Sequence, residues 1–148
     1  MMSRLGVWFM GVLARVPLPV LRAMGAALGR VLFVLVVPRR KIALRNLELC
    51  FPQASVEQRT QWARESFIVF CQTWLDRSWL WSAPQSVVEQ RVKLQGAVQE
   101  LDGDVPTIIF APHFYGLDAG GLVLPLRTSR AFTSIFSTHP DPVIDAWF

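Results

Sequence analysis

Between Leu5 and Val37 the chain is apolar apart from three arginines, Arg15, Arg22 and Arg30. A backbone surrounded by lipid has no water to bond its N–H and C=O groups, so such a stretch is helical wherever it enters a bilayer. The longest charge-free run, Leu5–Ala14, is ten residues and too short to cross. Val16–Val37 is 22 residues and long enough, with Arg22 and Arg30 inside it. A central arginine costs about 2.5–3.5 kcal/mol on insertion scales. Both lie off centre, where long side chains reach toward headgroups. Pro17 and Pro19 suit the first turn of a helix better than its middle.

Two geometries satisfy this pattern. One is a single tilted span from about Leu18 to Val37; the other is an in-plane helix with its arginines toward lipid headgroups. Arg39, Arg40, Lys41 and Arg45 follow directly, so the positive-inside rule places the remainder in the cytoplasm. Residues 1–45 thus read as a membrane-associated helical segment with a basic flank. A cleaved signal peptide fits poorly, because the apolar region runs far beyond a normal signal core. Residues 1–50 hold eight basic side chains against Glu48 alone, while residues 51–148 hold seven basic and ten acidic. That asymmetry points to an anionic lipid surface. Nucleic acid is disfavoured as a partner, since the arginines are spaced through Leu/Val/Met sequence and not clustered with aromatics.

At 148 residues the chain suits one domain. With 52% hydrophobic residues, six Trp and ten Phe, it requires a large core, a membrane contact, or both. Cys50 and Cys71 lack metal-like spacing and read as two buried thiols in a reducing compartment. No metal-ligand cluster and no cofactor motif is visible.

Pro52 ends any helix entering Asn46–Phe51. Ser55-Val-Glu-Gln58 then has the form of a capping box. Beyond it Trp62, Ser66, Val69, Phe70, Thr73, Trp74 and Leu80 recur at helical spacing, with Gln61, Arg64, Glu65, Gln72 and Asp76 on the other side. The expectation is one long amphipathic helix from about Val56 to Trp81, stopped by Ala83-Pro84. Trp74, Trp79 and Trp81 suit core packing, with an interfacial aromatic belt as the alternative.

The last third reads as alternating strands and helices. Strands are expected at Val88–Leu94, Thr107–Ala111 and Ala131–Ser137, and helices at Ala97–Leu101, through Gly120–Leu126, and from Val143 to Phe148. That alternation implies an α/β fold with a mostly parallel sheet. Ligands bind outside the carboxyl ends of such strands, where His113 falls. Histidine moves protons near neutral pH, and a carboxylate can fix its tautomer. Asp118 follows after four intervening residues. On one helix those five positions leave the side chains roughly 140° apart, so they converge only if the backbone changes state between them. Pro112 and Gly116 supply that break. A helix starting near Tyr115–Leu117 would offer N–H groups to developing negative charge. On spacing alone, a catalytic pair and an unconnected His and Asp in a surface loop stand level. His139 reads as a loop residue before a proline turn.

With these pieces in order, the chain resembles the lipid A late acyltransferases of Gram-negative bacteria, the lauroyl/myristoyl transferase family. The resemblance runs through "ARVPLPVLRAMGAALG", "RRKIALRNLELCFPQASVEQR" and the strand-His-x4-Asp block. In the closing "FSTHPDPVIDAWF", Pro142 matches a family pattern from which Phe136 and Thr138 depart. The resemblance implies residues 46–148 as the N-terminal part of an α/β domain of glycerolipid-acyltransferase type, with flanking helices and later strands downstream. It implies an inner-membrane enzyme with its catalytic part on the cytoplasmic face. A fatty acyl chain would pass from acyl-carrier protein to a hydroxyl of a lipid A precursor. His113 matches the family histidine as base, and Asp118 the acidic residue that orients it. By the chemistry of the residues, N–H groups near Gly116 or groups later in the chain would stabilise the oxyanion. Alternatives are a different lipid acceptor, a non-catalytic membrane-anchored remnant, and a hydrolase using the same histidine.

Overall fold

The computed structural model describes every residue except Met1, Asp102, Asp104, Ser129, Ile135, Phe136, Trp147 and Phe148. Helices α1 (Met2–Leu13), α2 (Leu18–Leu35), α3 (Val37–Cys50), α4 (Val56–Ser82), α5 (Gln85–Arg91), α6 (Leu117–Arg127) and α7 (Pro142–Asp145) follow one another, with a 3-10 turn at Val98–Leu101. They belong to two compact units, Val16–Asp76 and the remainder.

In the unit Val16–Asp76, proline punctuates the chain as expected. Pro17 precedes α2 and Pro19 sits in its first turn. Pro38 occupies the first turn of α3, and Arg40 Nη1 donates to Phe33 O at 3.1 Å and Val34 O at 3.5 Å. That places a cation on the last carbonyls of α2, where orphan acceptors and the helix dipole favour it. α3 runs through Asn46–Cys50 and stops only at Phe51, so the break begins later than Asn46. Ser55 and Gln58 form the reciprocal capping box: Gln58 N donates to Ser55 Oγ at 3.2 Å and Ser55 N to Gln58 Oε1 at 3.1 Å. A cap of this kind contributes about 1 kcal/mol.

α2 buries Leu21, Gly25, Gly29 and Phe33, one residue per turn. Against that stripe lies the backbone of α4. A Cβ placed on Gly25 would sit 2.8 Å from Gln72 Cα, and one on Gly29 2.5 Å from Ile68 Cα. Phe33 meets Phe67 edge to face at 5.5 Å. Asp76 pairs with Arg22 at 3.0 Å, and Gln72 Nε2 donates to Arg22 O at 3.0 Å. Only 22% of α2 is buried. Its other face, including Val20, Met24, Val31, Val34 and Leu35, is exposed. By length and composition α2 is able to cross a membrane.

The buried face of α4 differs from the expected one. Ala63, Cys71, Leu75 and Asp76 are buried, whereas Val69, Phe70 and Trp74 stand 39, 50 and 44% exposed. The contact with α2 falls on Phe67, Ile68 and Gln72, so the glycine stripe of α2, and not the most apolar row of α4, sets where the two helices pack. Asp76 is buried beside its partner Arg22. Cys50 is exposed, against the expectation of a buried thiol.

In the other unit, the last turns of α4 bury Ser78, Trp79 and Leu80. Arg91 lies 5.1 Å from the Trp79 ring centroid. Ser3 Oγ donates to Asp141 Oδ2, joining α1 to the start of α7. Asp141 also caps α7, accepting from Val143 N and Ile144 N. These bonds, led by that from Ser3, hold its carboxyl below the usual carboxylate range.

The expected parallel sheet is absent: no strand occurs among the described residues. Val88–Leu94 is half helix, because Pro84 opens α5, Gln85 bonds Glu89 at 2.7 Å across one turn, and Val88 is buried on its inner side. Thr107–Ala111 is irregular and solvated, with Ile108 and Phe110 97 and 90% exposed. Residues 131–134 are likewise unpaired, and the rest of the expected Ala131–Ser137 strand includes Ile135 and Phe136, outside the described residues. A strand gains stability only from a neighbour's ladder. Here Arg130 bonds Leu101 O, Thr107 Oγ1 and Val105 O instead. The short helical turn at Val98–Leu101 and the helix through Gly120–Leu126 are present. α7 spans Pro142–Asp145; the Trp147 and Phe148 end of that expected helix, the Phe136 position of the closing motif, and Asp102 and Asp104 of the turn before Thr107 lie outside the described residues.

Candidate active site

Two consecutive turns carry the candidate residues. Phe114 N donates to Pro112 O at 2.8 Å, a three-residue turn with His113 at its apex. Leu117 N then donates to Phe114 O at 3.2 Å, closing a four-residue turn. Gly116, the third residue of that turn, has φ 88° and ψ 4°. Those values match the third position of a type II turn and explain glycine there. Gly116 also opens α6: Gly120 N donates to its carbonyl at 3.1 Å. The amides of Asp118 and Ala119 precede that first helical bond, and no side chain caps this end. They remain available to an anion or oxyanion.

Asp118 lies in the first turn of α6. Its carboxylate does not face His113. Arg77 Nε donates to Asp118 Oδ2 at 2.6 Å, a pair 41 positions apart in sequence. Both side chains are about one-third exposed, 35% for Arg77 and 30% for Asp118. The Arg77 guanidinium also lies 5.4 Å from the Trp81 ring centroid, one turn further along α4. Arg77 is thus held between a carboxylate and an indole. His113 is exposed and makes no hydrogen bond to Asp118. The structure thus places His113, Gly116 and Asp118 in one short segment without forming the His–Asp pair.

Arg77 escaped the sequence reading. It occupies a polar-looking position within a long helix, and only its spacing of four from Trp81 hinted at a role. The pairing with Asp118 depends on chain path, which no local pattern records. His139 lies outside this cluster: its Nδ1 accepts from Asp141 N at 3.0 Å and its own N–H donates to Asp145 Oδ1 at 2.6 Å, organising the turn before α7. No group of three potential metal ligands occurs among the described residues.

A histidine at a turn, amides at a helix start without a side-chain cap and an anchored carboxylate suit proton transfer beside a developing negative charge. Comparison with known proteins supplies named relatives. The chain is 31% identical over 126 residues to the lipid A biosynthesis palmitoleoyltransferase of Escherichia coli (strain K12), covering 80% of this chain and 41% of that protein. It is 23% identical over 144 residues to the lipid A biosynthesis lauroyltransferase of the same organism, covering 95% and 46%. It is 26% identical over 144 residues to a lipid A biosynthesis acyltransferase of Haemophilus influenzae, covering 95% and 45%. The chain therefore spans less than half the length of these relatives. No solved structure matches it. A sequence model described as bacterial lipid A biosynthesis acyltransferase matches residues 1–148, and with that match running through both the apolar helices and the His113 turn, the chain belongs to this family.

Proposed function

We propose that this protein transfers a fatty acyl chain from an acyl-carrier-protein thioester to a hydroxyl of a lipid A precursor at the inner membrane, with the reacting groups on the cytoplasmic face. The observation that carries the reading is the family match over the whole chain, His113 included.

His113 takes the proton of the acceptor hydroxyl as its oxygen attacks the thioester carbonyl. Negative charge develops on the carbonyl oxygen, and the amides of Asp118 and Ala119 supply donors for it. The tetrahedral adduct collapses with cleavage of the C–S bond. The thiolate leaving group then recovers the proton from the imidazolium, so no charge or atom is left over. Neither a nucleophilic side chain nor a covalent enzyme intermediate is needed.

Asp118 orients the imidazole once substrate closes the Pro112–Gly116 turn. Catalytic hydrogen bonds often tighten only in the substrate complex. Arg77 holds Oδ2 and leaves Oδ1 to accept the ring N–H. Arg77→Gln is therefore expected to slow transfer by roughly 10- to 100-fold, with the acceptor KM nearly unchanged and Arg77→Lys partly active. Initial rates in isolated membranes check this; an unchanged Arg77→Gln rate removes Arg77 from the site.

The overall reading is tested by expressing the protein from its natural reading frame in a strain lacking late lipid A acylation. Mass spectrometry of the extracted lipid A is expected to show a species heavier by one acyl group. An unchanged lipid A profile, with the protein present in membranes, counts against it.

A further inference from the structure

The sequence left open whether the apolar segment crosses the membrane or lies along it, and the packing of α2 on α4 bears directly on that choice. Gly25 and Gly29 flank the midpoint of α2 and meet Gln72 and Ile68 of α4 at backbone distance. An α2 that crossed a bilayer would therefore hold Ile68–Gln72 near the midplane. Arg64 and Glu65 would follow within about a turn on one side, and Asp76 on the other. Asp76, beside Arg22, and Arg64, beside Phe33, would then lie inside the hydrocarbon roughly 7–10 Å from the midplane, where a charge still carries part of the central insertion penalty. Gln72 would bring a polar amide close to the midplane. The relation between the helices is not loose: Asp76 is bound to Arg22, Gln72 to the Arg22 carbonyl, and Phe33 to Phe67.

We propose that α2 lies in the interface of one leaflet of an anionic membrane, with its exposed face among the acyl chains and α4 on the water side. Val20, Met24, Val31, Val34 and Leu35 form that face, and all are exposed. They lie on the side of α2 away from the Leu21–Gly25–Gly29–Phe33 stripe that α4 covers. Arg30 falls between the two faces, about 140° around the helix from Gly25, at the height of the headgroups. Charge complementarity identifies the occupant as anionic lipid. Across α2 and α3 the cations are Arg22, Arg30, Arg39, Arg40, Lys41 and Arg45, against Glu48 alone. Arg22 is spent on Asp76, Arg45 on Glu48 and Arg40 on the last carbonyls of α2, which leaves Arg30, Arg39 and Lys41 toward phosphate groups. Membrane binding by apolar face plus basic flank is the in-plane mode. Both ends of α2 then stay on one side of the membrane.

The inference rests on the membrane placement proposed above and not on acyl transfer, and its test is blind to activity. Cys50, exposed at the last position of α3, reports one side of α2. Arg15→Cys reports the other, in a Cys71→Ser background; Cys71 is buried and its thiol pushed up by that burial. A membrane-impermeant maleimide is applied to intact spheroplasts and to inverted vesicles. Labelling of both positions in inverted vesicles only is the expected result, and labelling of position 15 from the periplasmic face overturns the proposal. So does recovery of the protein in the soluble fraction, which means that protein and not lipid covers the apolar face. Gly6→Cys, exposed on α1 with open space around it, repeats the measurement should Arg15→Cys fail to accumulate.

Discussion

His113→Ala is expected to abolish acyl transfer and to leave the protein in the membrane at its normal abundance. Removing a general base typically costs 10²- to 10⁴-fold in rate, and here no neighbouring side chain replaces it. The only other histidine, His139, has its Nδ1 engaged by Asp141 N. Stability is expected to stay within about 0.5 kcal/mol, because exposed side chains without packed or bonded partners contribute little. His113 is such a side chain, exposed and without a hydrogen bond to Asp118. The apolar face of α2 is untouched by the change. Measured transfer within a fewfold of wild type, with equal protein in the membrane fraction, would show that this histidine is not the base.

Gly29→Val separates α2 from α4. A Cβ at this position would meet Ile68 Cα at 2.5 Å, Ile68 N at 2.7 Å and Phe67 O at 2.7 Å. All three are backbone atoms, so no side chain can rotate away; the helices must part. Gly29→Ala gains about 1 kcal/mol of helix propensity and loses about 1–3 kcal/mol to overpacking, a balance between roughly zero and a loss of about 2 kcal/mol that the larger Val shifts further toward loss. The Phe33–Phe67 and Arg22–Asp76 contacts open with it. Gly11→Ala on α1 is the control, since nothing lies within 4 Å of its Cβ; there the propensity gain stands alone. Limited proteolysis in isolated membranes checks the pair. Cleavage within α4 is expected to accelerate for Gly29→Val and not for Gly11→Ala, and equal resistance would show that the close approach is not required.

The candidate site was half legible. Pro112 and Gly116 announced a change of backbone state, and the chain makes two turns there and starts α6 at Leu117. Glycine at a positive φ and proline at a helix start are local preferences, readable from one residue and its neighbours. The partner of Asp118 was not readable. A carboxylate five positions after a histidine says nothing about a guanidinium 41 positions earlier, and it is Arg77 that the folded chain delivers to it.

The same division runs through the fold. By itself the sequence determined the apolar α2 and its proline start, the capping box at Ser55 and Gln58, the near-complete extent of α4, and the residues by which the chain resembles its family. These depend on periodicity, capping and composition over a few turns. Tertiary structure alone decided that Thr107–Ala111 pairs with nothing, since a strand exists only with a neighbour. It also decided that α4 buries Ala63 and Cys71 while Val69, Phe70 and Trp74 stay exposed. Hydrophobicity nominates a face, but the partner selects it: the glycines of α2 bring its backbone onto Ile68 and Gln72 of α4. Through that contact α2 carries the charged rows of α4 beside it.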